Sequence, residues 1–382
     1  MEQGPVKRTF LLAAGGTGGH MIPAHALAEE LMQRGHKVVL VTDDRGARIP
    51  GLFKGVEVHV LPAGRIGGGI RTWISAGAMI LQGRKAAKAL IRQYEPSAAI
   101  GFGGYPALPT LLASLGEKVP TALHEQNAVL GRVNRLLARF VKVLATAYHQ
   151  VDRVPKGIEP VIVGNPVRAE ILALRDQPYP PLTGEGVFRL LVTGGSQGAS
   201  VLSTVVPDAL GLLPIALRQR LQVTQQCRPE DIDKVRARYA ELDIPADLAT
   251  YLGDLPERLG WSHLFVGRSG ASTIAELTAA GRPAILVPLP SAMDDHQTAN
   301  AREMAATGGA TSIPQSKFTP QQLAKQMQKM ALEPGALATA AARARDAGYP
   351  QATQALADLV ESLAGPTPAP VGPAPTFKEA LA

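Results

Sequence analysis

Residues Thr9–His20 read TFLLAAGGTGGH, an apolar run that ends in a loop of four glycines and a histidine. Gly35 lies where the C-terminal cap of a following helix belongs, and Lys37–Thr42 (KVVLVT) has the composition of a buried strand. A strand, a glycine loop, a helix and a second strand form the unit that builds a parallel sheet. The intervening segment predicts an amphipathic helix whose apolar face consists of Met21, Ala24, Leu27, Ala28 and Leu31.

The same arrangement recurs half a chain later. Arg189–Thr193 (RLLVT) is another apolar run, and it leads into the loop Gly194–Ala199 (GGSQGA) and a second helical pattern. A repeat of this kind in 382 residues predicts two similar α/β domains. We expect an N-terminal domain over residues 1–164, a C-terminal domain over 165–364 and a disordered proline-rich tail over 365–382.

Composition narrows the choice of partners. Aromatic residues make up only 4% of the chain, which argues against the stacking platforms of single-stranded nucleic-acid binding, so we expect no nucleic-acid partner. Residues 1–165 contain 20 Lys and Arg against 11 Asp and Glu, a net charge of +9, whereas the remainder carries −2. A basic first half suits an anionic partner, which could be nucleic acid, a phosphorylated substrate or an acidic membrane surface, although solubility alone would also explain it.

Two further features of the sequence predict the cellular compartment of the protein. The single cysteine, Cys227, cannot form an internal disulfide, which favours a reducing compartment. Residues 1–9 lack the apolar core of a signal peptide, and no apolar run reaches the roughly 18 residues of a membrane span. The sequence therefore predicts a cytoplasmic protein.

Three glycine-rich loops follow predicted strands, at Gly15, Gly194 and Gly267–Ala271. Such loops bring backbone N–H groups and a helix N-terminus close to a phosphate, although tight turns need glycine as well. None of the three matches the P-loop or the dinucleotide-binding fingerprint. In parallel sheets, ligands bind at the carboxyl ends of the strands, so we expect a site in a cleft between the two domains.

Five ionisable residues are candidates for the chemistry of this cleft. His20 could accept a proton from a sugar hydroxyl, or it could merely hydrogen-bond its own loop. Glu125 could accept a proton, orient a histidine, or form a salt bridge across the cleft. Glu276 could hold ribose hydroxyls, or it could simply suit the positive end of a helix. Arg168 and Arg268 could bind phosphate, or they could be surface charges.

A metal site is not predicted. The densest cluster of potential ligands, Asp294-Asp295-His296, opens a predicted helix, where acidic residues serve as caps. We therefore expect neither a bound metal nor another cofactor.

Six motifs, in this order along the chain, resemble those of the MurG-type glycosyltransferases, from about Thr9 to Leu363. The motifs are Gly15–His20 (GGTGGH), Gly101–Pro106 (GFGGYP), His124–Asn127 (HEQN), Gly164–Arg168 (GNPVR), Gly194–Ala199 (GGSQGA), and Arg268–Thr273 (RSGAST) with Glu276. The resemblance implies two Rossmann-like domains facing across a cleft, the GT-B fold. It implies inverting, metal-independent transfer of N-acetylglucosamine from UDP-N-acetylglucosamine to an undecaprenyl-linked muramoyl-pentapeptide (lipid I), with a β-1,4 linkage.

The resemblance also assigns roles to residues. His20 becomes the favoured general base, and Glu125 its rival or helper. Gln297, which would reach the sugar hydroxyls, competes with His296 because this segment varies among such enzymes. The remaining donor-site residues would be Thr17, Gly18, Gly19, Asn127, Arg168, Ser196 at the diphosphate, Leu252 at the uracil, and Ala271, Ser272, Thr273 and Glu276 at the sugar and ribose. The acceptor-binding residues would be Gly103, Gly104 and Tyr105.

Residues Arg71–Arg84 predict a membrane contact. They enclose an uncharged segment that is too short to span a bilayer but could rest in its interface. An ordinary surface helix packed on the N-terminal core is the alternative. The apolar residues are Trp73, Ile74, Met79, Ile80 and Leu81, and the flanking cations are Arg65, Arg71, Arg84, Lys85, Lys88 and Arg92. With the resemblance, this segment predicts peripheral attachment to the cytoplasmic face of the cell membrane.

Three other functions share parts of this pattern. Another lipid-directed glycosyltransferase would keep both domains, and a UDP-sugar epimerase would need no membrane contact. A non-catalytic nucleotide-sugar-binding module would not need both His20 and Glu125.

Overall fold

In the computed structural model of the chain, the described residues are 7–16, 18–49, 51–62, 70–195 and 198–365. For residues 70–76 only the helical backbone is described. Two predicted site residues, Thr17 and Ser196, lie outside the described residues, as does the proline-rich tail beyond residue 365.

The first half of the chain forms a seven-stranded sheet in the order β3-β2-β1-β4-β5-β6-β7, with all neighbours parallel. Its strands are β1 (Thr9–Ala13), β2 (Lys37–Thr42), β3 (Glu57–Val60), β4 (Ala98–Gly101), β5 (Thr121–Glu125), β6 (Val143–Thr146) and β7 (Val161–Ile162). The helices are α1 (Gly18–Gln33), α2 (Asp44–Ala47), α3 (Ile70–Tyr94), α4 (Ala107–Gly116) and α5 (Arg132–Leu137). The predicted strand-loop-helix-strand unit is confirmed, including the five buried apolar residues of α1.

The second half forms a parallel six-stranded sheet in the order β10-β9-β8-β11-β12-β13. Its strands are β8 (Phe188–Thr193), β9 (Leu221–Gln226), β10 (Ala246–Ala249), β11 (Leu264–Gly267), β12 (Ala284–Leu286) and β13 (Ala310–Ser312). The helices are α6 (Ala169–Ala173), α7 (Ser200–Gly211), α8 (Ile215–Arg218), α9 (Ile232–Glu241), α10 (Leu255–Trp261), α11 (Ala271–Ala280), α12 (His296–Ala306), α13 (Pro320–Leu332), α14 (Ala336–Asp346) and α15 (Ala352–Leu363). Both predicted α/β units are therefore present.

The last helix returns to the first sheet. Leu356 and Val360 of α15 are fully buried in the same apolar cluster as Phe10 and Leu27. Arg34 Nη1 also lies 2.6 Å from Glu361 Oε2, which ties α15 to the end of α1. The predicted division at residues 164 and 165 stays a prediction, but α15, which it assigns to the second domain, packs on the first.

The order of the strands determines where the loops meet. In each sheet the central strand, β1 or β8, is followed directly by a glycine-rich loop, and its neighbour, β4 or β11, by another. Because parallel strands share one carboxyl edge, these loops lie side by side. The inner strands β1, β2, β4, β8, β11 and β12 are largely buried apolar runs, as expected for sheets covered by helices on both faces.

Candidate active site

The loop after β1 is held by one carboxylate. Asp43 Oδ1, just after β2, accepts hydrogen bonds from the backbone N–H groups of Gly16 (2.8 Å) and Gly46 (3.0 Å). Helix α1 begins at Gly18, so Gly18 and Gly19 form its first turn. This places the free N–H groups of a 16-residue helix at the carboxyl edge of the first sheet.

His20 lies in the same turn and is partly exposed. Its Nδ1 lies 3.1 Å from Oε1 of Gln126, which follows β5. On the other side, Gly104 comes so close that a side chain there would meet Cδ2 of His20 at 3.3 Å. Gly104 also has a φ of +76°, which a residue with a side chain rarely adopts. The histidine is therefore fixed between the HEQN loop and the predicted acceptor loop.

Glu125 is only 2% exposed, and four donors surround its carboxylate. Oε1 accepts from the backbone N (3.1 Å) and the Nδ2 (3.0 Å) of Asn127. Oε2 accepts from the backbone N of Gly131 (2.8 Å) and Nδ2 of Asn134 (2.9 Å). A carboxylate with all its acceptor positions occupied organises the loop and has little capacity to take a substrate proton. This geometry favours His20 over Glu125 as the base.

Asn127 connects the two halves of the cleft. Its Oδ1 accepts a hydrogen bond from Nδ2 of Asn300 (3.1 Å), a fully buried residue of α12. Asn300 also donates to the backbone O of Ser269 (3.2 Å), and its Oδ1 accepts from the backbone N of Ala128 (2.9 Å). The side chain of Asn300, in the second half of the chain, thus joins the HEQN loop to the loop after β11.

Arg168 and Glu276 form a salt bridge. Nη2 of Arg168, at the start of α6, lies 2.8 Å from Oε1 of Glu276 in the second turn of α11. Burial raises the pKa of the Glu276 carboxyl, and the adjacent Arg168 opposes that rise. The two residues predicted at the nucleotide sugar therefore lie in direct contact, in a setting of low polarity.

The start of α11 offers polar groups of the kind that bind phosphate. Ala271, Ser272 and Thr273 form its first turn, with free backbone N–H groups. The hydroxyl of Ser272 is buried and has no hydrogen-bond partner among the described residues. Arg268 instead donates to the backbone O atoms of Val287 (3.0 Å) and Pro288 (3.1 Å) and to Gln315 (2.7 Å). Its guanidinium stabilises the loop and is not free to bind phosphate.

The remaining predicted donor residues lie around the same loops. Leu252 follows β10, and its side chain belongs to a buried apolar cluster. The backbone O of Gln297 accepts from the Ser269 hydroxyl (2.8 Å), and its Oε1 accepts from the backbone N of Leu289 (3.0 Å). His296 turns away, with Nδ1 2.8 Å from the backbone O of Met293. Contact with the β11 loop favours Gln297 over His296 as a site residue.

The loop predicted to bind the acceptor follows β4. An added side chain at Gly103 would meet Asn134 at 3.3 Å, so this glycine lies against the network around Glu125. Tyr105 is partly exposed, and its proximity raises the pKa of Arg132. The loop thus lines one side of the space next to His20.

Within the described ranges, no group of three or more His, Cys, Asp or Glu side chains could hold a metal ion. Asp294 of the DDH cluster pairs instead with Arg153 (2.5 Å) and Arg132 (3.5 Å) across the cleft. Among the described helices, none is both long enough and apolar enough to cross a bilayer.

Comparison with known proteins identifies the family. Residues 10–146 match the glycosyltransferase family 28 N-terminal domain, and residues 189–362 match the family 28 C-terminal domain. The chain belongs to glycosyltransferase family 28. The predicted family and the GT-B fold are therefore confirmed.

Individual family 28 relatives are similar along nearly their whole length. A Zymomonas mobilis protein named UDP-N-acetylglucosamine–N-acetylmuramyl-(pentapeptide) pyrophosphoryl-undecaprenol N-acetylglucosamine transferase is 63% identical, covering 94% of each chain. A Novosphingobium aromaticivorans protein of the same name is 61% identical, covering 94% of this chain and 92% of the relative. The crystal structure of Acinetobacter baumannii MurG has a TM-score of 0.73 at 29% identity, covering 93% of this chain and 99% of that one.

Two residues of this family 28 site were missed by sequence reasoning. Gln126 stands inside the HEQN motif, and its neutral side chain gave no chemical signal beside Glu125. Asn300 lies 173 residues from its partner Asn127, so no local pattern could pair them. Their significance follows only from the hydrogen bonds that the fold creates.

Proposed function

We propose that this chain transfers N-acetylglucosamine from UDP-N-acetylglucosamine to the 4-hydroxyl of the muramoyl sugar of lipid I, which forms lipid II in peptidoglycan synthesis. The observation that carries this proposal is the 63% identity, over 94% of both chains, to a transferase named for this reaction. The geometry of the cleft supports the same chemistry.

On this proposal the donor lies mainly against the second sheet. Glu276 accepts hydrogen bonds from the ribose hydroxyls, and Arg168 exchanges part of its contact with Glu276 for the donor. The first turn of α11, with the unpartnered Ser272 hydroxyl, receives the sugar and diphosphate region. Helix N-termini then stabilise the negative charge that develops on the departing UDP. The other proposed donor contacts are Thr17, Gly18, Gly19, Asn127, Ser196, the backbone at Leu252, Ala271, Thr273 and Gln297.

The acceptor enters from the first sheet. The loop carrying Gly103, Gly104 and Tyr105 borders the imidazole of His20, so a hydroxyl held by this loop can reach its Nε2. His20 removes the proton as the hydroxyl oxygen attacks the anomeric carbon and UDP departs with the bonding electrons. Direct displacement of this kind inverts the anomeric centre.

A membrane contact would deliver the lipid-linked acceptor. Leu81 on α3 is 66% exposed, and Phe140, after α5, is 68% exposed. Ile80 of α3 and Leu137 of α5 belong to one apolar cluster, so Leu81 and Phe140 each follow closely in sequence a residue of that cluster. The exposed cations nearby in sequence are Arg84, Lys85, Arg139 and Lys142. Apolar side chains flanked by cations suit the interface of an anionic membrane.

The predicted membrane segment is thus extended to α5, while the side chains of Arg71, Trp73 and Ile74, together with Arg65, lie outside the described residues. We propose a peripheral position on the cytoplasmic face of the cell membrane and no nucleic-acid partner. The bilayer would then present the acceptor to the loop at Gly103.

The proposed function is tested by following UDP release from UDP-N-acetylglucosamine with and without a lipid I analogue. We expect release to require the acceptor and to fall sharply when UDP-N-acetylgalactosamine replaces the donor. Equal release without acceptor, or the absence of release with it, would contradict a transferase of this specificity. His20→Asn serves as the inactive control.

A further inference from the structure

We propose that Gln126 is a positioning residue which, anchored by His124, holds His20 in the tautomer that carries its proton on Nδ1. Nε2 of His20 is then left with a free lone pair toward the acceptor side. The use of that lone pair rests on the proposed function, in which His20 is the base. The tautomer itself follows from the hydrogen bonds alone.

The first link is His124, which is fully buried at the end of β5. Its Nε2 lies 2.9 Å from the backbone O of Gly164, and a carbonyl oxygen can only accept, so Nε2 carries a hydrogen. Burial lowers the pKa of His124 to about 4, so the ring is neutral near pH 7. A neutral imidazole with a hydrogen on Nε2 has a bare Nδ1, which can only accept.

The second link is the carboxamide of Gln126, which is also fully buried. One end lies 3.1 Å from Nδ1 of His124 and 3.1 Å from the backbone O of His124. Both of these atoms are acceptors, so this end must be the NH₂ group. A reversed amide would place its oxygen against two acceptors and leave its NH₂ group facing His20.

The third link is His20 itself. Because the NH₂ group of Gln126 faces His124, its carbonyl oxygen Oε1 faces Nδ1 of His20 at 3.1 Å. An oxygen that can only accept requires the hydrogen on Nδ1 of His20. In the neutral ring, Nε2 is then the nitrogen without a hydrogen, and it lies on the side of the ring next to Gly104.

This arrangement prepares His20 for one proton transfer. As the acceptor O–H bond breaks, the proton moves to Nε2, while the oxygen bonds to the anomeric carbon and UDP leaves with the electron pair. The resulting imidazolium still donates its Nδ1–H to Oε1 of Gln126, so the amide dipole stabilises the new charge. A histidine in the other tautomer would present an N–H group to the hydroxyl and could not accept the proton.

The chain of hydrogen bonds ends at the segment between the sheets. Gly164 follows β7, has a φ of +85°, and packs so closely on Tyr349 that an added side chain would approach it to 2.3 Å. The Gly164–His124–Gln126–His20 chain of hydrogen bonds, here called the relay, is therefore anchored at a rigid backbone carbonyl. The tautomer of His20 does not depend on a mobile surface group.

The direct test is the ¹⁵N NMR spectrum of the full-length protein labelled at histidine, with His20→Asn used to assign the His20 ring. We expect wild-type His20 to show a protonated Nδ1 and a bare Nε2. A bare Nδ1 and a protonated Nε2 would overturn the proposal. The wild-type spectrum decides this point even if a Gln126 variant does not fold.

The second arm uses Gln126→Met, which preserves the length of the side chain but cannot accept a hydrogen bond from Nδ1. We expect a mixture of His20 tautomers and a kcat at least about tenfold lower, with unchanged affinity for UDP-N-acetylglucosamine. The matched control is Gln225→Met. Gln225 is also fully buried, but it lies on β9 of the second sheet, so this variant should leave the His20 spectrum unchanged. An unchanged tautomer in Gln126→Met would contradict the positioning role.

The two arms also separate this proposal from the proposed function. If Gln126→Met alters the tautomer but leaves kcat normal, the relay exists and His20 is not the base. If wild-type His20 carries its proton on Nε2, the chain of hydrogen bonds is wrong, and loss of transfer in His20→Asn then shows only that His20 is required for transfer.

Discussion

Arg168 and Glu276 meet at 2.8 Å in the cleft, so the proposed ribose-binding carboxylate has a cationic partner within the protein. The contact offsets part of the cost of burying the charge of Glu276. It also means that nucleotide binding must reorganise an existing ion pair rather than fill an unused position.

Removal of the Glu276 carboxylate should weaken the binding of UDP and UDP-N-acetylglucosamine alike. Loss of a charge-assisted hydrogen bond costs on the order of 1.5–3 kcal/mol, which corresponds to roughly 10- to 150-fold in Kd. Isothermal titration with Glu276→Ala and Glu276→Gln measures this change. Unchanged UDP affinity in a folded variant would contradict the ribose assignment.

The affinity for UDP should also depend on pH. Burial raises the pKa of Glu276, so its carboxyl gains a proton at a higher pH than an ordinary glutamate does. The charged form accepts the ribose hydroxyls, so UDP affinity should be full above the raised pKa and should fall as the pH drops through it. Glu276→Gln should lack this component. The raised pKa has the opposite effect on the stability of the fold. Burial of the charged carboxylate costs free energy, so the contribution of Glu276 to stability decreases as the pH rises through its pKa.

His20 and Glu125 should respond differently to substitution. His20→Ala should lower kcat by roughly 10²–10⁴ with donor affinity near normal, because it removes the base. Glu125→Ala should instead lower the melting temperature, since four buried donors lose their acceptor. Steady-state kinetics and thermal denaturation of both variants distinguish the two roles. If Glu125→Ala abolishes turnover at normal stability and His20→Ala does not, the roles must be exchanged.

Asn300 should be coupled energetically to Asn127. Asn300→Ala removes three hydrogen bonds, two of them across the cleft, so it should reduce kcat and destabilise the protein by about 1–3 kcal/mol. In a double-mutant cycle with Asn127→Ala, the two effects should be less than additive because the residues share a bond. Strict additivity in kcat would show that the bridge between the domains does not contribute to transfer.

Membrane binding should depend on both apolar and charged residues of the first domain. Phe140→Ser and the double variant Arg84→Glu/Lys85→Glu should each reduce co-sedimentation with anionic vesicles, and high salt should reduce wild-type binding. Leu212→Ser, which alters an exposed leucine of the second domain, is the matched control. Binding that is insensitive to lipid charge, salt and both variants would exclude this surface as the contact.

Much of the fold could be predicted from local patterns. The strands β1 and β8 are buried apolar runs that end in paired glycines, and this combination identifies a strand-to-loop boundary without tertiary information. Helix α15 could be predicted as a helix, but its position could not. Its apolar face could pack against either sheet, and only the folded chain shows that Leu356 lies in the same cluster as Phe10 of the first sheet.

The roles of the site residues were harder to predict than the strands, because they also depend on contacts between distant segments of the chain. His20 and Glu276 stand in glycine-rich motifs, so the sequence alone identifies them as candidates. The occupied state of Glu125 depends on Gly131 and Asn134, which contact it only because α5 folds back on the loop. The residue type of Glu125 suggested a base, whereas its hydrogen-bond partners in the structure indicate that it anchors the loop.

We propose direct, inverting transfer to the acceptor hydroxyl with His20 as the base. NMR analysis of the disaccharide formed from UDP-N-acetylglucosamine and a lipid I analogue tests this proposal. We expect a β-1,4-linked product from the α-linked donor, formed by the wild type and lost in His20→Asn. An α-linked product, or undiminished formation of the β-linked product by His20→Asn, would contradict it.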